Sequence, residues 1–307
     1  MSGAPVGPGQ LHASLRGLAG VDEVGATSRA AMLGTRSIKA SSKARAIDLA
    51  IAMVDLTTLE GMDTPGKVRA LCAKAMRPDP SDSGTPAVAA VCIYGDLVAT
   101  ARNAVGDAVH VAAVATAFPS GRASMAVKIM ETEQAVAAGA DEIDMVIDRG
   151  AFLAGDYARV FEEISTVKEA CGAARLKVIL ETGELRTLDN VRRASWLAML
   201  AGADFIKTST GKVTPAATPT VTLVMLEAVR DFAVAHGRKV GVKAAGGIRT
   251  SKDAIKYLVL VNETVGNDWL TPELFRFGAS TLLNDLLLQR QRMRSGHYSG
   301  PNYVTAD

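Results

Sequence analysis

The chain of 307 residues lacks the features that mark several large classes of protein. It has three cysteines, Cys72, Cys92 and Cys171, whose odd number and wide spacing do not fit a disulfide framework. Because they form no C-x-x-C pair, they suit a reducing compartment. No apolar run reaches the roughly 18 residues of a membrane-spanning helix, so the sequence predicts no membrane partner.

The chain also has little net charge, and its first residues do not read as a signal peptide. Its formal net charge is +2, which is too small to indicate nucleic acid or an anionic membrane as a partner. Residues 1–10 have neither a basic start nor an apolar run, so they are not typical of a signal peptide. We therefore expect a soluble, cytoplasmic protein whose positive sites are local.

The composition provides enough apolar sequence for one sizeable core, since 48% of the residues are hydrophobic and 21% are charged. Residues 1–50 read as an N-terminal extension, of which residues 1–10, rich in Gly and Pro, are predicted to be disordered and the rest helical. Short β-rich runs alternate with segments of helical spacing over residues 51–292, and residues 293–307 form a C-terminal tail.

Eight apolar runs read as β-strands, at residues 52–57, 87–94, 109–116, 142–147, 176–181, 205–210, 240–245 and 275–278. Eight strands, each followed by a helix, fit the α/β fold class and a single (β/α)₈ TIM barrel with an N-terminal helical extension. The main alternative is an open doubly wound sheet. That fold usually carries G-x-G-x-x-G after its first strand, and no such motif is present here.

Two lysines lie in strand-like apolar runs, where an ammonium group is costly to bury. Lys207 and Lys243 fall on the sixth and seventh strands, which are neighbours in a barrel. A second ammonium nearby lowers the pKa of the first, and the resulting free amine attacks carbonyls to form a Schiff base. A single strand lysine is more often a snorkelling or rim residue, but for this pair we favour catalysis.

Other candidates are polar residues of one parity, because a barrel places alternate side chains inside. Asp144 would point inward, either as a catalytic carboxylate or as a structural partner of Lys207 and Lys243. Asp55 could bind a substrate hydroxyl or a water, or could serve as a cap or turn carboxylate. Glu181 is either the partner of a lysine or a plain loop charge, and we assign it no role.

The loops after the seventh and eighth strands indicate a place for phosphate, which barrels often bind there with glycines and a helix N-terminus. We call them the phosphate loops; they read Ala245-Gly-Gly-Ile-Arg-Thr250 and Phe277-Gly-Ala-Ser-Thr-Leu282. The hydroxyls of Ser280 and Thr281 and the charge of Lys212 would add to the site. Together the loops predict an anionic, phosphorylated substrate.

Metal and thiol chemistry have less support in the sequence than lysine Schiff-base chemistry. No two histidines have ligand spacing, which argues against a zinc-dependent aldolase. Cys92 lies near a strand end and could be a reactive thiol, although a small core residue is the simpler interpretation.

Seven runs of the sequence match the motifs of one known family. They are Asp55-Leu-Thr-Thr-Leu59, Val91-Cys-Ile-Tyr94, Gly139-Ala-Asp-Glu-Ile-Asp144, Leu176-Lys-Val-Ile-Leu-Glu-Thr-Gly-Glu-Leu185, Gly202-Ala-Asp-Phe-Ile-Lys-Thr-Ser-Thr-Gly-Lys212, Ala245-Gly-Gly-Ile-Arg-Thr250 and Arg276-Phe-Gly-Ala-Ser280. The runs of strands six and seven are the most specific. On these runs the chain resembles the class I 2-deoxy-D-ribose-5-phosphate aldolases, over about residues 50–290.

The resemblance implies a barrel that reversibly cleaves 2-deoxy-D-ribose 5-phosphate to acetaldehyde and D-glyceraldehyde 3-phosphate, with no metal or organic cofactor. It implies Lys207 as the Schiff-base nucleophile, Lys243 as the neighbouring cation and Asp144 as a general acid/base that acts through a bound water. The residues that it implies at the substrate are Asp55, Thr210, Lys212, Gly246, Gly247, Arg249, Gly278 and Ser280.

Three features depart from the family pattern. The N-terminal extension is absent from the shortest members, and Thr281 stands where a second serine is common, which should preserve a hydroxyl. Some members end in a tyrosine that reaches the active site, and either Tyr298 or Tyr303, or neither, could do so here.

Two alternative functions stay open at this point. They are a Schiff-base aldolase for another sugar phosphate and a non-catalytic sugar-phosphate-binding barrel. A homo-oligomer, either a dimer or a tetramer, also stays open.

Overall fold

The computed structural model describes residues 8–36 and 38–296. The predictions for residues 1–7 and for Tyr298 and Tyr303 in the tail lie outside the described residues. Helix α1 (Pro8–Arg16) begins inside the segment that the sequence predicted to be disordered.

Eight parallel strands close into a barrel in chain order, which confirms the predicted fold. Each strand pairs with the next, and β8 closes the barrel by pairing with β1. The strands are β1 Val54–Thr57, β2 Ala90–Tyr94, β3 His110–Ala115, β4 Glu142–Val146, β5 Arg175–Ile179, β6 Phe205–Lys207, β7 Gly241–Ala245 and β8 Phe275–Ala279.

Helices α4 to α12 lie in the connections between strands and after β8, and α1 to α3 precede the barrel. Short 3₁₀ helices at Gly95–Leu97, Thr182–Glu184 and Asn267–Trp269 lie between them. The remaining α-helices of the described residues are α2 Glu23–Gly34, α3 Ala40–Ala52, α4 Pro65–Met76, α5 Val98–Val105, α6 Met125–Ala137, α7 Arg149–Leu153, α8 Tyr157–Ala170, α9 Leu188–Leu200, α10 Pro219–His236, α11 Ser251–Val265 and α12 Leu282–Ser295.

Threonines set the start of several helices that follow strands. Thr64, Thr187, Thr218 and Thr250 each accept a hydrogen bond from the backbone N–H three residues further on, before α4, α9, α10 and α11. Such caps satisfy an N–H group that the helix itself cannot pair. The local sequence therefore fixes where these loops at the carboxyl ends of the strands stop.

Strand ends differ from the prediction at two informative places. Helix α3 runs to Ala52, so β1 begins at Val54 and not at residue 52. Strand β6 ends at Lys207. Beyond it, the hydroxyls of Thr208 and Ser209 donate to the backbone carbonyl of Ala245, at 3.2 and 2.6 Å, in place of the regular backbone hydrogen bonds between strands. These side-chain bonds still hold the end of β6 against β7.

The barrel interior is divided between apolar and charged side chains. Beside β2 and β3 it is filled by small apolar residues, among them Ala90, Cys92, Ala112 and Val114. On the opposite parity of the strands, side chains such as Ile143 pack into the apolar layer beneath the helices. The charged inward side chains lie on β4 to β8 and β1, between uncharged inward residues such as Ile179 and Phe205.

Helices α1 to α3 pack on the outer helices of the barrel. Helix α1 lies on α8 and α9, α2 on α10 and α11, and α3 on α11 and α12. They bury Leu11, Leu15, Leu33 and Ile51 at these contacts. Among the described residues, no helix is both long enough and apolar enough to cross a membrane.

Candidate active site

The sheet register brings the candidate residues to neighbouring positions on one face. Lys207 of β6 is the register partner of Lys243 of β7, and Asp144 of β4 is the partner of Lys177 of β5. Partners in a parallel sheet point their side chains to the same side. These four side chains therefore meet inside the barrel.

Asp144 is the junction of these side chains. Its Oδ2 atom accepts hydrogen bonds from Nζ of Lys207 at 2.9 Å and from Nζ of Lys243 at 2.8 Å. Its Oδ1 atom accepts one from Nζ of Lys177 at 2.9 Å. Burial alone would raise the pKa of Asp144, but the surrounding lysines, Lys177, Lys207 and Lys243, lower it well below its ordinary value. Asp144 is therefore a carboxylate, which is the form that accepts a proton.

Lys243 is held as a cation between two carboxylates. Its Nζ lies 2.6 Å from Oδ2 of Asp55 and 2.8 Å from Oδ2 of Asp144, and its side chain is fully buried. Burial alone would lower the pKa of Lys243, but Asp144 and Asp55 raise it well above its ordinary value. A fixed positive charge therefore stands beside Lys207, on the same carboxylate oxygen.

Three more buried charges, which the sequence analysis did not assign, belong to this cluster. Lys177 also contacts Glu142, and the guanidinium of Arg276 lies 2.6 Å from Asp55 and 2.9 Å from Glu142. Burial would raise the pKa of Glu142, but Lys177 and Arg276 lower it well below its ordinary value. The cluster, which we call the charge array, comprises Asp55, Glu142, Asp144, Lys177, Lys207, Lys243 and Arg276.

Strand parity was the signal that could have found these residues. Glu142 lies two positions before Asp144 and so shares its face. Lys177 is opposite Asp144 in the register, and Arg276 is opposite Lys243. A search for all charged residues of inward parity, and not for lysine alone, would have included them.

The array balances its charges without a proton on Lys207. The charges of the other six members cancel one another, so the array does not need Lys207 as a counter-charge. The charges that cancel are three carboxylates and three cations, namely Asp55, Glu142 and Asp144 against Lys177, Lys243 and Arg276.

Lys207 is the member of the predicted catalytic set that reaches open space. A cavity of about 970 Å³ opens at the carboxyl ends of the strands, and Lys207 is among the residues that line it. Asp144, Lys243 and Asp55 are fully buried and are not part of its lining. A ligand in the cavity can therefore touch Lys207 directly, and Asp144 only through an intervening group such as a water.

The predicted phosphate loops form another wall of the same cavity. Gly246 has φ +82°, and a Cβ there would lie 2.6 Å from Cβ of Ala216. A Cβ at Gly278 would lie 3.0 Å from Cε of Lys243, so a larger residue would press on the array. The predicted substrate residues that line the cavity are Thr210, Lys212, Gly246, Gly247, Arg249, Gly278 and Ser280.

Glu181 anchors the loop after β6. Its Oε2 atom accepts a hydrogen bond from the Thr210 hydroxyl at 2.5 Å, and that hydroxyl accepts one from the backbone N–H of Lys212 at 3.1 Å. Burial raises the pKa of Glu181, although the hydrogen bonds from Thr210 oppose the rise. Glu181 therefore fixes Thr210 and Lys212 at the cavity and is bonded to neither Lys207 nor Lys243.

Cys92 belongs to the apolar group inside the barrel, 3.8 Å from Oδ2 of Asp144. Burial raises the pKa of its thiol. Within residues 8–36 and 38–296, no group of three or more His, Cys, Asp or Glu side chains is placed to hold a metal ion.

Comparison with known proteins gives one consistent result. The sequence model described as DeoC/LacD family aldolase matches residues 46–287. The deoxyribose-phosphate aldolases of Mus musculus and Homo sapiens are 46% and 45% identical over 276 residues, which is 86% of this chain and 86% of theirs. A solved structure, described as the unique tetrameric structure of deoxyribose phosphate aldolase from Aeropyrum pernix, is 26% identical with a TM-score of 0.60. The match covers 85% of this chain and 100% of the Aeropyrum pernix chain.

Proposed function

The chain belongs to the DeoC/LacD family of aldolases, and from that premise we propose how it works as a lyase. It reversibly cleaves 2-deoxy-D-ribose 5-phosphate to acetaldehyde and D-glyceraldehyde 3-phosphate, through a Schiff base on Lys207. The observation that carries this proposal is the position of Lys207, which is bound to Asp144 inside the barrel and opens into the cavity beside the phosphate loops.

Lys207 begins the reaction as a nucleophile. Its neutral amine attacks C1 of the open-chain aldehyde to form a carbinolamine, which takes up a proton from the water beside Asp144 and loses water to leave a protonated imine. Hydrolysis of the imine at the end of the cycle returns that proton. Lys243, which stays an ammonium between Asp55 and Asp144, keeps the array balanced while Lys207 has no proton. The imine nitrogen then carries the positive charge that the free amine did not.

The protonated imine is the electron sink for bond cleavage. The C2–C3 bond breaks as the C3 hydroxyl loses its proton, which releases D-glyceraldehyde 3-phosphate and leaves an enamine. Asp144 takes part as the base, through a water that spans the gap between its buried carboxylate and the cavity. Protonation of the enamine at C2 and hydrolysis of the imine then release acetaldehyde and restore the amine of Lys207.

The phosphate of the substrate binds at the wall of the cavity that the phosphate loops form. Backbone N–H groups near Gly246, Gly247 and Gly278 and the side chains of Lys212, Arg249 and Ser280 would hold it, a type of site that barrels often build there. Asp55 acts from below the cavity, where it positions Lys243, and does not bind a hydroxyl of the substrate directly.

We further propose the assembly and the location of the protein. The tetramer of the Aeropyrum pernix enzyme supports a homo-oligomer, which native mass measurement would test. The free, buried thiols of Cys72, Cys92 and Cys171 support a reducing, cytoplasmic location. We assign catalysis to the barrel of residues 51–292, with residues 1–50 as an extension and residues 293–307 as a tail.

The direct test is turnover by the purified protein and by its Lys207→Met variant. Wild-type protein should release acetaldehyde from 2-deoxy-D-ribose 5-phosphate, and Lys207→Met should lose at least about a thousandfold in kcat, because the nucleophile is removed. Lys239→Met is the matched control, since Lys239 forms an exposed pair with Asp268 at 2.8 Å. Activity that survives Lys207→Met would contradict the proposal. If the protein turned over only other sugar phosphates in a substrate panel, it would be an aldolase for a different substrate. If it bound sugar phosphates without turnover, it would be a binding protein and not an enzyme.

A further inference from the structure

One ion pair joins two loops across the carboxyl end of the barrel. Nζ of Lys212, in the loop after β6, lies 2.8 Å from Oε1 of Glu60, in the loop after β1. Strands β7 and β8 lie between β6 and β1 in the barrel, and they carry the phosphate loops. Glu60 and Lys212 both line the cavity. The pair therefore spans the side of the cavity where we place the phosphate.

The backbone that carries Glu60 is fixed by Asp63. The N–H of Glu60 donates to Oδ2 of Asp63 at 2.9 Å, and the Thr58 hydroxyl donates to Oδ1 at 2.8 Å. Lys67 of α4 forms an ion pair with the same Oδ1 atom at 2.7 Å, and the Asp63 side chain is only 1% exposed. Glu60 therefore projects from an ordered turn toward Lys212, and Glu181 anchors the loop that carries Lys212.

The pair itself is exposed enough to open. The Glu60 side chain is 60% exposed and the Lys212 side chain 32%. Exposed ion pairs contribute little to stability, so a stronger anion can displace the carboxylate. A phosphate monoester carries close to two negative charges at neutral pH, and it repels any carboxylate that stays near the same ammonium. Glu60 and a substrate phosphate therefore compete for Lys212.

We propose that Glu60 is a specificity-determining residue that acts as a built-in competitor for the phosphate site. Its carboxylate pairs with Lys212 and must leave when a phosphorylated ligand binds. An unphosphorylated sugar has no need of Lys212 and is unaffected by the competition. Glu60 thus weakens the preference of the enzyme for phosphorylated over unphosphorylated substrate. This inference rests on the proposed function, since it assumes that Lys212 contacts phosphate.

Glu60→Gln tests the competition, because the amide keeps the size of the side chain and removes its charge. KM for 2-deoxy-D-ribose 5-phosphate should fall about three- to tenfold, as expected for the loss of an exposed ion pair and of repulsion from one carboxylate. The inhibition constant of inorganic phosphate should fall by a similar factor. The ratio kcat/KM for 2-deoxy-D-ribose should not change.

Asp268→Asn is the matched control, because Asp268 forms a 2.8 Å ion pair with Lys239 outside the cavity lining. It should leave all three quantities at their wild-type values. A KM for the phosphorylated sugar that is unchanged or raised in Glu60→Gln would overturn the inference. So would an equal change for 2-deoxy-D-ribose, since the effect would then not concern phosphate. Failure of the proposed function looks different, because wild-type protein would then turn over neither sugar.

Discussion

At the scale of single residues, one carboxylate oxygen connects the proposed nucleophile to the cation beside it. Oδ2 of Asp144 binds Lys207 and Lys243 at nearly equal distances, 2.9 and 2.8 Å. An ammonium at Lys243 already satisfies this oxygen, so Lys207 is not required there as a cation.

Replacing Lys243 by leucine should disturb this balance. Asp55, Glu142 and Asp144 would then face only Lys177 and Arg276, so Lys207 would keep a proton to neutralise the array. We expect Lys243→Leu to lose roughly a hundredfold in kcat/KM near neutral pH, with partial recovery in alkaline solution.

The measurement is a pH–rate profile of the variant beside wild type. Lys239→Leu serves as the control, because its exposed pair with Asp268 lies outside the array. A profile of Lys243→Leu with the wild-type shape would show that Lys243 does not influence the protonation of Lys207.

Sequence reasoning worked at this scale where strand parity decides the answer. The alternation of Ile143, Asp144 and Met145 predicted that the carboxylate would point inward to the two lysines, and the structure places it between them. Arg276 was missed, although its inward parity could be read from the sequence. The phosphate loop that begins at the next residue, Phe277, drew attention to the end of β8 and not to the inward side chain before it.

At the scale of elements, all eight predicted strands are present, and the errors lie at their ends. Alanine and isoleucine before Val54 suit a helix as well as a strand, so the sequence did not show that α3 continues to Ala52. The prediction extended β6 to residue 210, beyond its end at Lys207. In the sequence, Thr208 and Ser209 look like ordinary strand residues, although their hydroxyls replace the backbone hydrogen bonds of a strand.

Arg276 links three strands from inside the barrel. From β8 its guanidinium contacts Asp55 of β1 and Glu142 of β4. We expect Arg276→Met to reduce the free energy of unfolding by about 3–5 kcal/mol, because it leaves two buried carboxylates with fewer counter-charges. Urea denaturation gives this value directly.

His110→Gln provides the comparison for that variant. His110 also contacts Glu142, at 2.9 Å, but its side chain is 47% exposed, so its loss should cost less than about 1 kcal/mol. Equal losses for the two variants would refute the claim that burial makes the Arg276 contacts important.

At the scale of the whole molecule, the contacts that complete the site join distant parts of the chain. Glu60 and Lys212 are 152 positions apart, and Arg276 and Asp55 are 221 apart. Periodicity reports only local structure, so a sequence without coordinates predicts the barrel and its inward faces but not such pairs. The motifs indicated which ends of strands carry chemistry, and closure of the barrel determined which of them meet.

The charge array should make the molecule sensitive to acid. The folded-state pKa values of Asp55, Glu142 and Asp144 are all lowered, against burial, by the neighbouring lysines and Arg276. Groups of this kind stabilise the fold fully above their unfolded pKa, about 4, and lose that contribution as pH falls toward the lower folded value. The urea midpoint should therefore change little from pH 7 to 5 and decline below about pH 4. A midpoint that is constant or rises between pH 5 and 3 would contradict this account.

Borohydride reduction during turnover tests the central claim most directly, because it converts an imine on lysine into a stable secondary amine. With 2-deoxy-D-ribose 5-phosphate present, peptide mapping by mass spectrometry should find the added mass on Lys207, and none should form without substrate. A trapped adduct on Lys243 or Lys177, or no adduct in a protein that is cleaving the sugar, would contradict the account.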